Sequence, residues 1–250
     1  MNPESRPRKL TFLFDYISHN AYISWTQLDS LARRFDLEVE TVPVLFGALL
    51  NAHGGLGPAE IPAKSLWMIR DVIRKAKMLG VPLAPPASHP FNPLVALRVT
   101  CVAMPPVQRQ ALIKALFAAC WTHGRDISKP EIVTAVLDEI GLDGAGLVAA
   151  AATAEVKARL REHTDSAIQR GVFGVPTMIV GDQLFWGHDD WPHLERYLRG
   201  EDPLTVDDLD PWLRVTQSAA PPPSVTGKAR VSPQLIGRSY SIMGTNKNFE

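Results

Sequence analysis

The sequence predicts an α/β fold whose sheet is built from both ends of the chain, with a large helical block inserted between them. Three observations predict it. Strand, helix and strand patterns follow one another closely near the N-terminus. Helical periodicity then dominates from about residue 61 to residue 170, and two strand-like runs with a final helix come after it.

The first three elements form a βαβ unit. Residues 10–16, LTFLFDY, are aromatic and aliphatic and predict a buried strand. Apolar residues then recur every three or four positions from Asn20 to Phe35, which is typical of one face of a helix. The stretch 37–44, LEVETVPV, alternates loosely and is rich in β-branched residues, so a second strand follows. Strands joined by a helix in this way are parallel.

The middle of the chain is predicted to be helical apart from two loops. Glycines and prolines break regular structure in 51–66 and again in 84–93, and a helix is expected between these loops near 63–79. Helical patterns continue from there to about residue 170. Gly141 and Gly171 stand where helices would end.

Strand character returns in 177–187, TMIVGDQLFWG. Two apolar runs flank Gly181 and Asp182, a dipeptide that suits a two-residue hairpin turn. The pattern WPHLERYLRG then predicts a final helix. The C-terminal part of the sheet is therefore a ββα unit.

A βαβ unit and a ββα unit separated by a helical insertion form the thioredoxin architecture. We therefore expect a thioredoxin-like domain over residues 8–204, with sheet parts at about 8–60 and 171–200 and the insertion at about 61–170. The remaining residues, 205–250, are polar and rich in proline and serine, without the periodicity that a core requires. This composition predicts a disordered tail.

Composition limits the classes of partner. The 26 Lys and Arg residues balance 26 Asp and Glu residues, so net charge does not favour nucleic acid or an anionic membrane. The chain's two cysteines form neither a disulfide framework nor a metal-binding motif, so no metal is expected and a reducing compartment fits. The polar N-terminus lacks a signal-peptide core, and no apolar run approaches the roughly 20 residues that span a bilayer. We expect a cytoplasmic protein, and the resemblance described below implies a small-molecule substrate.

Ser18 lies where the first strand passes into the first helix, in the stretch YISHNAY. Some thiol-handling folds place a reactive cysteine at this junction, but neither cysteine of this chain is near it. The position reads Ser18-His19-Asn20-Ala21, which excludes thiol–disulfide exchange by a protein cysteine pair. A serine at a helix start commonly acts only as an N-cap, and Asn20 competes for that role.

Four segments, spread over residues 10–200, carry a resemblance to a known family. They are FDYISHNAYISW (14–25), PVLFGALLNAHGGLGPAEIPAK (43–64), HPFNPLVALR (89–98) and GVFGVPTMIVGDQLFWGHDD (171–190). In this order they resemble the 2-hydroxychromene-2-carboxylate isomerases, which group with kappa-class glutathione transferases and DsbA-like thioredoxin-fold proteins. The resemblance implies glutathione as cofactor, isomerisation of an intermediate of aromatic catabolism, and a homodimer, since relatives are often dimers.

The resemblance implies that Ser18 is the catalytic residue. A free thiol has a pKa of about 8.5, so glutathione needs help to be a thiolate at neutral pH. A hydroxyl that donates a hydrogen bond to the sulfur, at the positive end of a helix, supplies that help. We expect this role rather than nucleophilic attack, because a hydroxyl without an adjacent base is a poor nucleophile. His19 is a weak choice for that base, because consecutive residues at a helix start point apart.

The resemblance also implies that Ser18 shares glutathione binding with residues from two of the other segments, 43–64 and 171–190. The Val175–Pro176 bond would be cis, so that the main chain of Val175 bonds the cysteinyl unit as a short strand would. A proline that begins a strand fits the local pattern equally well. His188 and Asp189 would hold the γ-glutamyl end, where the family commonly has Asn-Asp-Arg, although an aspartate there could simply cap the last helix.

Asn51 and Lys64 flank a glycine-rich loop and would contact glutathione or an acidic substrate, although a lone lysine is usually a solvated surface residue. Trp67 would wall an aromatic-substrate pocket, or else fill the core. Asn92 would face the same cleft from a loop that also holds His89. These roles depend on the resemblance alone.

Two other functions stay open. A kappa-class-like glutathione transferase or peroxidase would use the same cofactor site with a different electrophile. A redox-inactive thioredoxin-fold binding protein would keep the fold without the chemistry, and saturable binding of glutathione would argue against it.

Overall fold

A four-stranded mixed sheet lies at the centre of the structure, a computed structural model that describes residues 8–216. Its strand order is β2-β1-β3-β4. β1 (Arg8–Phe14) pairs in parallel with β2 (Leu37–Pro43) and antiparallel with β3 (Thr177–Val180). β4 (Gln183–Trp186) continues from β3 as an antiparallel hairpin. The two ends of the chain therefore meet along β1, as the thioredoxin-like prediction requires.

Helices cover both faces of this sheet, and most of them belong to the insertion. Among the described residues, no helix is both long and apolar enough to cross a lipid bilayer. Two short 3-10 helices, Pro58–Glu60 and His188–Asp190, precede α3 and α9. The α-helices are α1 (His19–Phe35), α2 (Phe46–His53), α3 (Pro62–Leu79), α4 (Leu94–Cys101), α5 (Pro106–Trp121), α6 (Pro130–Glu139), α7 (Gly144–Ala151), α8 (Ala154–Gln169), α9 (Trp191–Leu198) and α10 (Val206–Leu213).

The alternation of side chains along β1 divides the interior into two cores. Leu10, Phe12 and Phe14 are fully buried on one face, in a core that includes residues of α1 and of the insertion helices α4 to α8. Leu13 points to the opposite face and joins a smaller core with residues of α2 and α8, among them Leu49. Successive strand residues face opposite sides of a sheet, so the run LTFLF supplies both cores from one strand.

The predicted hairpin is confirmed, since Val180 pairs with Gln183 across the two-residue turn. Gly141 and Gly171 both have positive φ, after the ends of α6 and α8, as their predicted role at helix ends requires. The helix expected near residues 63–79 is α3.

Two helices differ from the sequence prediction. α2 runs to His53, inside the loop predicted from residue 51, and ends where Gly54 adopts a left-handed conformation with φ of 65°. α10 forms at the start of the predicted disordered tail, where the Thr205 side chain accepts a hydrogen bond from the Asp208 N–H in a capping box. The predicted tail beyond residue 216 lies outside the described residues.

Candidate functional site

Ser18 caps α1 and faces the loop that carries Pro176. Its Oγ accepts a hydrogen bond from the Ala21 N–H at 3.1 Å and donates one to the Val175 carbonyl oxygen at 3.3 Å. The Val175–Pro176 peptide bond is cis, as the family resemblance implies. Ser18 is half-buried, so its hydroxyl combines a capping role with a position opposite the proline loop.

Asp15 shapes the turn that presents Ser18. Its side chain is fully buried, and its carboxylate accepts hydrogen bonds from the Ile17 N–H at 3.1 Å and the Phe46 N–H at 2.9 Å. The Ser18 N–H donates to the Asp15 carbonyl oxygen at 3.1 Å. Burial raises the pKa of Asp15 to about 7, outweighing the two backbone hydrogen bonds that lower it. One carboxyl group thus joins the end of β1 to the starts of α1 and α2.

The N-terminus of α1 makes the surroundings of Ser18 favourable for an anion. The N–H groups of His19 and Asn20 belong to the first turn, so no helical carbonyl precedes them to accept their hydrogen bonds. These groups and the helix dipole place partial positive charge beside the Ser18 hydroxyl. A negatively charged sulfur or oxygen is therefore stabilised at this point.

A cavity of about 300 Å³ lies beside this helix start. Its walls come from α3, from the loop after α3 and from α5, and most of the side chains are apolar, including Ile69, Leu83 and Trp121. His19 lines the cavity, whereas Ser18 is not among its lining residues. His89 also lines it and contacts the Ile17 carbonyl oxygen through Nε2 at 3.0 Å. The cavity therefore borders the turn that holds the serine.

His19 is an uncharged side chain at neutral pH. It is only 6% exposed, and burial lowers its pKa to about 4, with further lowering from His89 and Lys75. Its ring packs edge-on against Trp121 at a centroid distance of 5.8 Å. As expected for consecutive residues at a helix start, Ser18 bonds to the proline loop while His19 lines the cavity.

Lys75, which the sequence analysis did not select, joins α3 to the segment after the hairpin. Its Nζ lies 2.7 Å from a carboxylate oxygen of Asp71 and 2.7 Å from one of Asp189, and 3.5 Å from Asn20 Oδ1. The lysine side chain is 12% exposed, whereas that of Asp189 is 72% exposed. The spacing of Asp71 and Lys75 is a helical i,i+4 pair and was visible in the sequence. Nothing local indicated the contact with Asp189.

The predicted glutamyl-binding pair therefore lies close to the start of α1. His188 is half-buried, and its ring stacks on Trp191 at a centroid distance of 5.7 Å. Burial lowers the pKa of His188, and the charge of Lys75 lowers it further. Asp190 accepts a hydrogen bond from the Trp186 N–H at 2.9 Å and makes no side-chain cap on α9.

Asn51 and Lys64 are exposed residues at opposite ends of the glycine-rich loop, on α2 and α3. His53 Nε2 lies 3.1 Å from the Val172 carbonyl oxygen, which holds the end of α2 against the segment before Val175. The C-terminal end of α2, two residues after Asn51, thus lies against the segment that leads to the proline loop. Lys64 precedes a residue that lines the cavity but does not line it itself.

The two predicted substrate residues lie outside the cavity wall. Trp67 is 59% exposed on α3 and is not among the lining residues, although its neighbours Met68 and Ile69 are. Asn92 is exposed, and its Oδ1 accepts a hydrogen bond from the Leu94 N–H at 3.0 Å at the start of α4. The structure places His19, His89 and Trp121 at the cavity instead.

Comparisons with known proteins extend over most of the chain. Residues 9–199 match the family model of the DSBA-like thioredoxin domain. A 2-hydroxychromene-2-carboxylate isomerase of Sphingobium xenophagum is 32% identical over 196 residues, which cover 76% of this chain and 98% of the relative. Glutathione S-transferase kappa 1 of Rattus norvegicus is 24% identical over 208 residues, covering 78% of this chain and 92% of the relative.

A solved structure of a 2-hydroxychromene-2-carboxylate isomerase superposes with a TM-score of 0.71 at 24% sequence identity, covering 83% of this chain and all of that one. At this identity the superposition concerns the fold.

Proposed function

Because the chain belongs to the DSBA-like thioredoxin domain family, we propose that it is a glutathione-dependent cis–trans isomerase of the 2-hydroxychromene-2-carboxylate isomerase type. Three relatives carry the name 2-hydroxychromene-2-carboxylate isomerase, and by this relationship the chain is an isomerase of the family. The use of glutathione and the choice of an aromatic-catabolism intermediate as substrate are the proposal.

The observation that carries the proposal is the position of the Ser18 hydroxyl. It lies at the N-terminus of α1 and within hydrogen-bond distance of the residue before the cis-proline. A thiol placed there meets a hydroxyl donor and the positive end of a helix, the two devices that lower a thiol pKa. The hydroxyl and the N-terminus of α1 are therefore suited to hold the thiolate of glutathione.

Three groups of residues would hold the rest of the tripeptide. The main chain of Val175 would bond the cysteinyl unit. His188 and Asp189 would hold the γ-glutamyl end, with the Asp189 carboxylate pairing with the ammonium group. Asn51 and Lys64 would contact the remaining polar groups from the glycine-rich loop. The contact of Asp189 with Lys75 supports this assignment, because it fixes the carboxylate beside α1.

Bound glutathione would supply a thiolate that adds reversibly to a conjugated carbon, so that a double bond becomes a rotatable single bond. The chain's own contribution is orientation and charge stabilisation. The Ser18 hydroxyl would exchange its hydrogen bond to Val175 for one to the sulfur, while the cavity would hold the aromatic body of the substrate away from water. Trp67 and Asn92 would contact the substrate at the rim of the cavity, because neither residue forms part of its wall.

A glutathione transferase of the kappa type is the second candidate, because the rat kappa relative matches a similar share of the chain, 78%. The two functions would share the cofactor site and differ only in the electrophile. A redox-inactive binding protein with this fold is the third.

An activity screen with the full-length chain separates these functions. Glutathione would be supplied with 2-hydroxychromene-2-carboxylate in one assay and with 1-chloro-2,4-dinitrobenzene in a second, beside calorimetric titration of glutathione alone. Turnover of the chromene with no conjugation of the aryl halide supports the isomerase. The reverse pattern supports the transferase, and the absence of saturable glutathione binding would overturn both.

A further inference from the structure

Two segments of opposite charge expose apolar side chains to solvent. α3 carries five basic residues against one acidic residue. Residues 201–216, which include α10, carry five acidic residues against one basic residue. The whole chain has no net charge, so the separation of charge is a local property of these two segments. Surfaces of opposite charge favour association with each other.

The exposed face of α3 has an apolar stripe with a basic edge. Leu66, Ile69 and Ile73 follow one another at helical spacing and are between 42% and 53% exposed. Arg70 and Arg74 each follow a residue of this stripe and therefore lie along one side of it. An apolar stripe on a helix is normally covered by another element or by a partner.

α10 has a face of matching character. Leu209, Trp212 and Leu213 share one side of this helix, and Trp212 is 76% exposed. Asp208 and Asp210 lie at the two edges of that side. A capping box stabilises the N-terminus of the helix and so keeps these positions in order. An apolar face flanked by carboxylates fits an apolar stripe flanked by guanidinium groups.

The α10 of the same chain cannot reach this stripe. The Leu198 carbonyl oxygen accepts a hydrogen bond from Arg8 at the start of β1, and the Glu201 N–H donates to a carbonyl oxygen of α9. Ile69 lines the cavity beside α1, at the other end of β1, a distance of about 20 Å along a seven-residue strand. The four residues 202–205 span at most about 14 Å. They are too short to carry α10 along β1 and across to α3.

The C-terminal end of the chain is also a poor occupant of this face. Residues 217–250 carry four basic residues against one acidic residue, so their charge has the same sign as that of α3. Residues 201–216 have the opposite sign. They lie beyond residues 9–199, which match the family model, so the family match does not account for their composition.

We propose that α10 of a second copy of this chain docks on the exposed face of α3. The contact is reciprocal, so that each copy supplies one α10 and one α3 and the two copies form a closed dimer. Trp212 packs on the apolar stripe, and the carboxylate of Asp210 lies near the guanidinium of Arg74. Because Ile69 and Ile73 also line the cavity, the docked helix covers its rim.

Sedimentation velocity of the full-length chain measures this association. We expect a dimer whose Kd rises by about tenfold when NaCl is raised from about 50 to about 500 mM, because salt screens the opposite charges. Trp212→Ala should weaken the dimer by about tenfold or more, since an interfacial tryptophan contributes much of the binding free energy. Val107→Ala is the matched control, because Val107 is an exposed apolar residue on α5 and should not affect association.

Charge reversal identifies the two surfaces and shows that they belong to different copies. Asp207→Lys with Asp210→Lys should make the chain monomeric, because both segments are then basic. Arg70→Glu with Arg74→Glu should do the same, because both segments are then acidic. Mixing the two double variants should restore a one-to-one dimer, since each α10 then meets an α3 of opposite charge. Recovery on mixing also shows that both variants are folded.

Four outcomes would overturn the inference. The wild-type chain would remain monomeric at about 100 µM, or neither reversal would alter the dimer, which would place the interface elsewhere. Dissociation by the α3 reversal alone would mean that another segment occupies α3. Mixed variants that stay monomeric would show that α10 and α3 of different copies do not meet. Because this association needs no glutathione, its absence would leave the proposed function intact.

Discussion

The Ser18 hydroxyl lies 3.3 Å from the Val175 carbonyl oxygen, although 157 positions separate the two residues in the chain. Ser18 lies in the turn between β1 and α1, whereas Val175 precedes the cis-proline that leads into β3. The hydrogen bond between them brings together the two segments that would share the glutathione sulfur.

Ser18→Ala should lower glutathione-dependent turnover by about tenfold or more, because it removes one preorganised hydrogen-bond donor. It also removes the cap on the Ala21 N–H, which should cost about 1 kcal/mol of unfolding free energy. Steady-state kinetics and urea denaturation measure the two effects. Thr153→Ala, which removes a similar cap from α8, should lose stability without losing turnover. Equal turnover in Ser18→Ala and the wild type would exclude Ser18 as the catalytic group.

Asp189→Asn should raise the KM for glutathione by about tenfold with little change in kcat, because an amide cannot form an ion pair with the glutamyl ammonium group. Lys75→Met should act in the same direction but less strongly, since it releases Asp189 without removing the carboxylate. The exposed pair of Lys9 and Glu40 provides a control, and Lys9→Met should leave the KM unchanged. A KM that is insensitive to Asp189→Asn would rule out the glutamyl contact.

Asp15 should make the protein less stable as the pH rises from about 4 to about 7. Burial raises its pKa from 3.8 to about 7, so in this window the native state holds a proton that the unfolded chain has released. The stability of the wild type relative to Asp15→Asn should therefore decline across the window, by on the order of 4 kcal/mol in total. Urea denaturation of both proteins from pH 4 to pH 8 measures the difference.

The comparison with Asp15→Asn is needed because buried histidines act in the opposite direction. The pKa of His19 is lowered to about 4, so its contribution to stability is lost as the pH falls from 6.5 towards 4. This effect is common to both proteins and cancels in their difference. A difference that stays flat with pH would show that Asp15 is ionised in the native state throughout.

Gly174→Ala should destabilise the proline loop by about 1 to 3 kcal/mol, because a Cβ at this position would overlap the indole of Trp186. It should also raise the KM for glutathione, since Val175 follows directly. Gly47→Ala is the matched control. A Cβ at Gly47, inside α2, meets no atom within 4 Å, so alanine there should add up to about 1 kcal/mol of stability. Similar effects of the two substitutions would argue against the role of close packing at Gly174.

Local patterns in the sequence were sufficient for most of the fold. The apolar run of β1, the helical period of α1 and the Gly181-Asp182 turn each reflect interactions between residues close in the chain. α2 was not predicted, because a short apolar helix that runs into a glycine-rich loop looks like part of that loop. The position of Ser18 at the junction of β1 and α1 also follows from local patterns alone.

The remaining parts of the site depend on contacts between distant segments. Lys75 and Asp189 are 114 positions apart, and no local pattern reports that their side chains meet. The burial of His19 arises from α3, α5 and the loop of His89 packing around the helix start. The sequence alone argued against His19 as a base, but it could not show that the ring would line a cavity.

The parallel pairing of β1 with β2 and its antiparallel pairing with β3 also determine when the site can exist during synthesis. The first two strands and the serine leave the ribosome early, while the third strand and its proline loop are made only after the whole insertion. A nascent chain therefore carries the serine for most of its translation without the opposing carbonyl. Any fragment that ends within the insertion should consequently be inactive, because it lacks the proline loop regardless of which helices have formed.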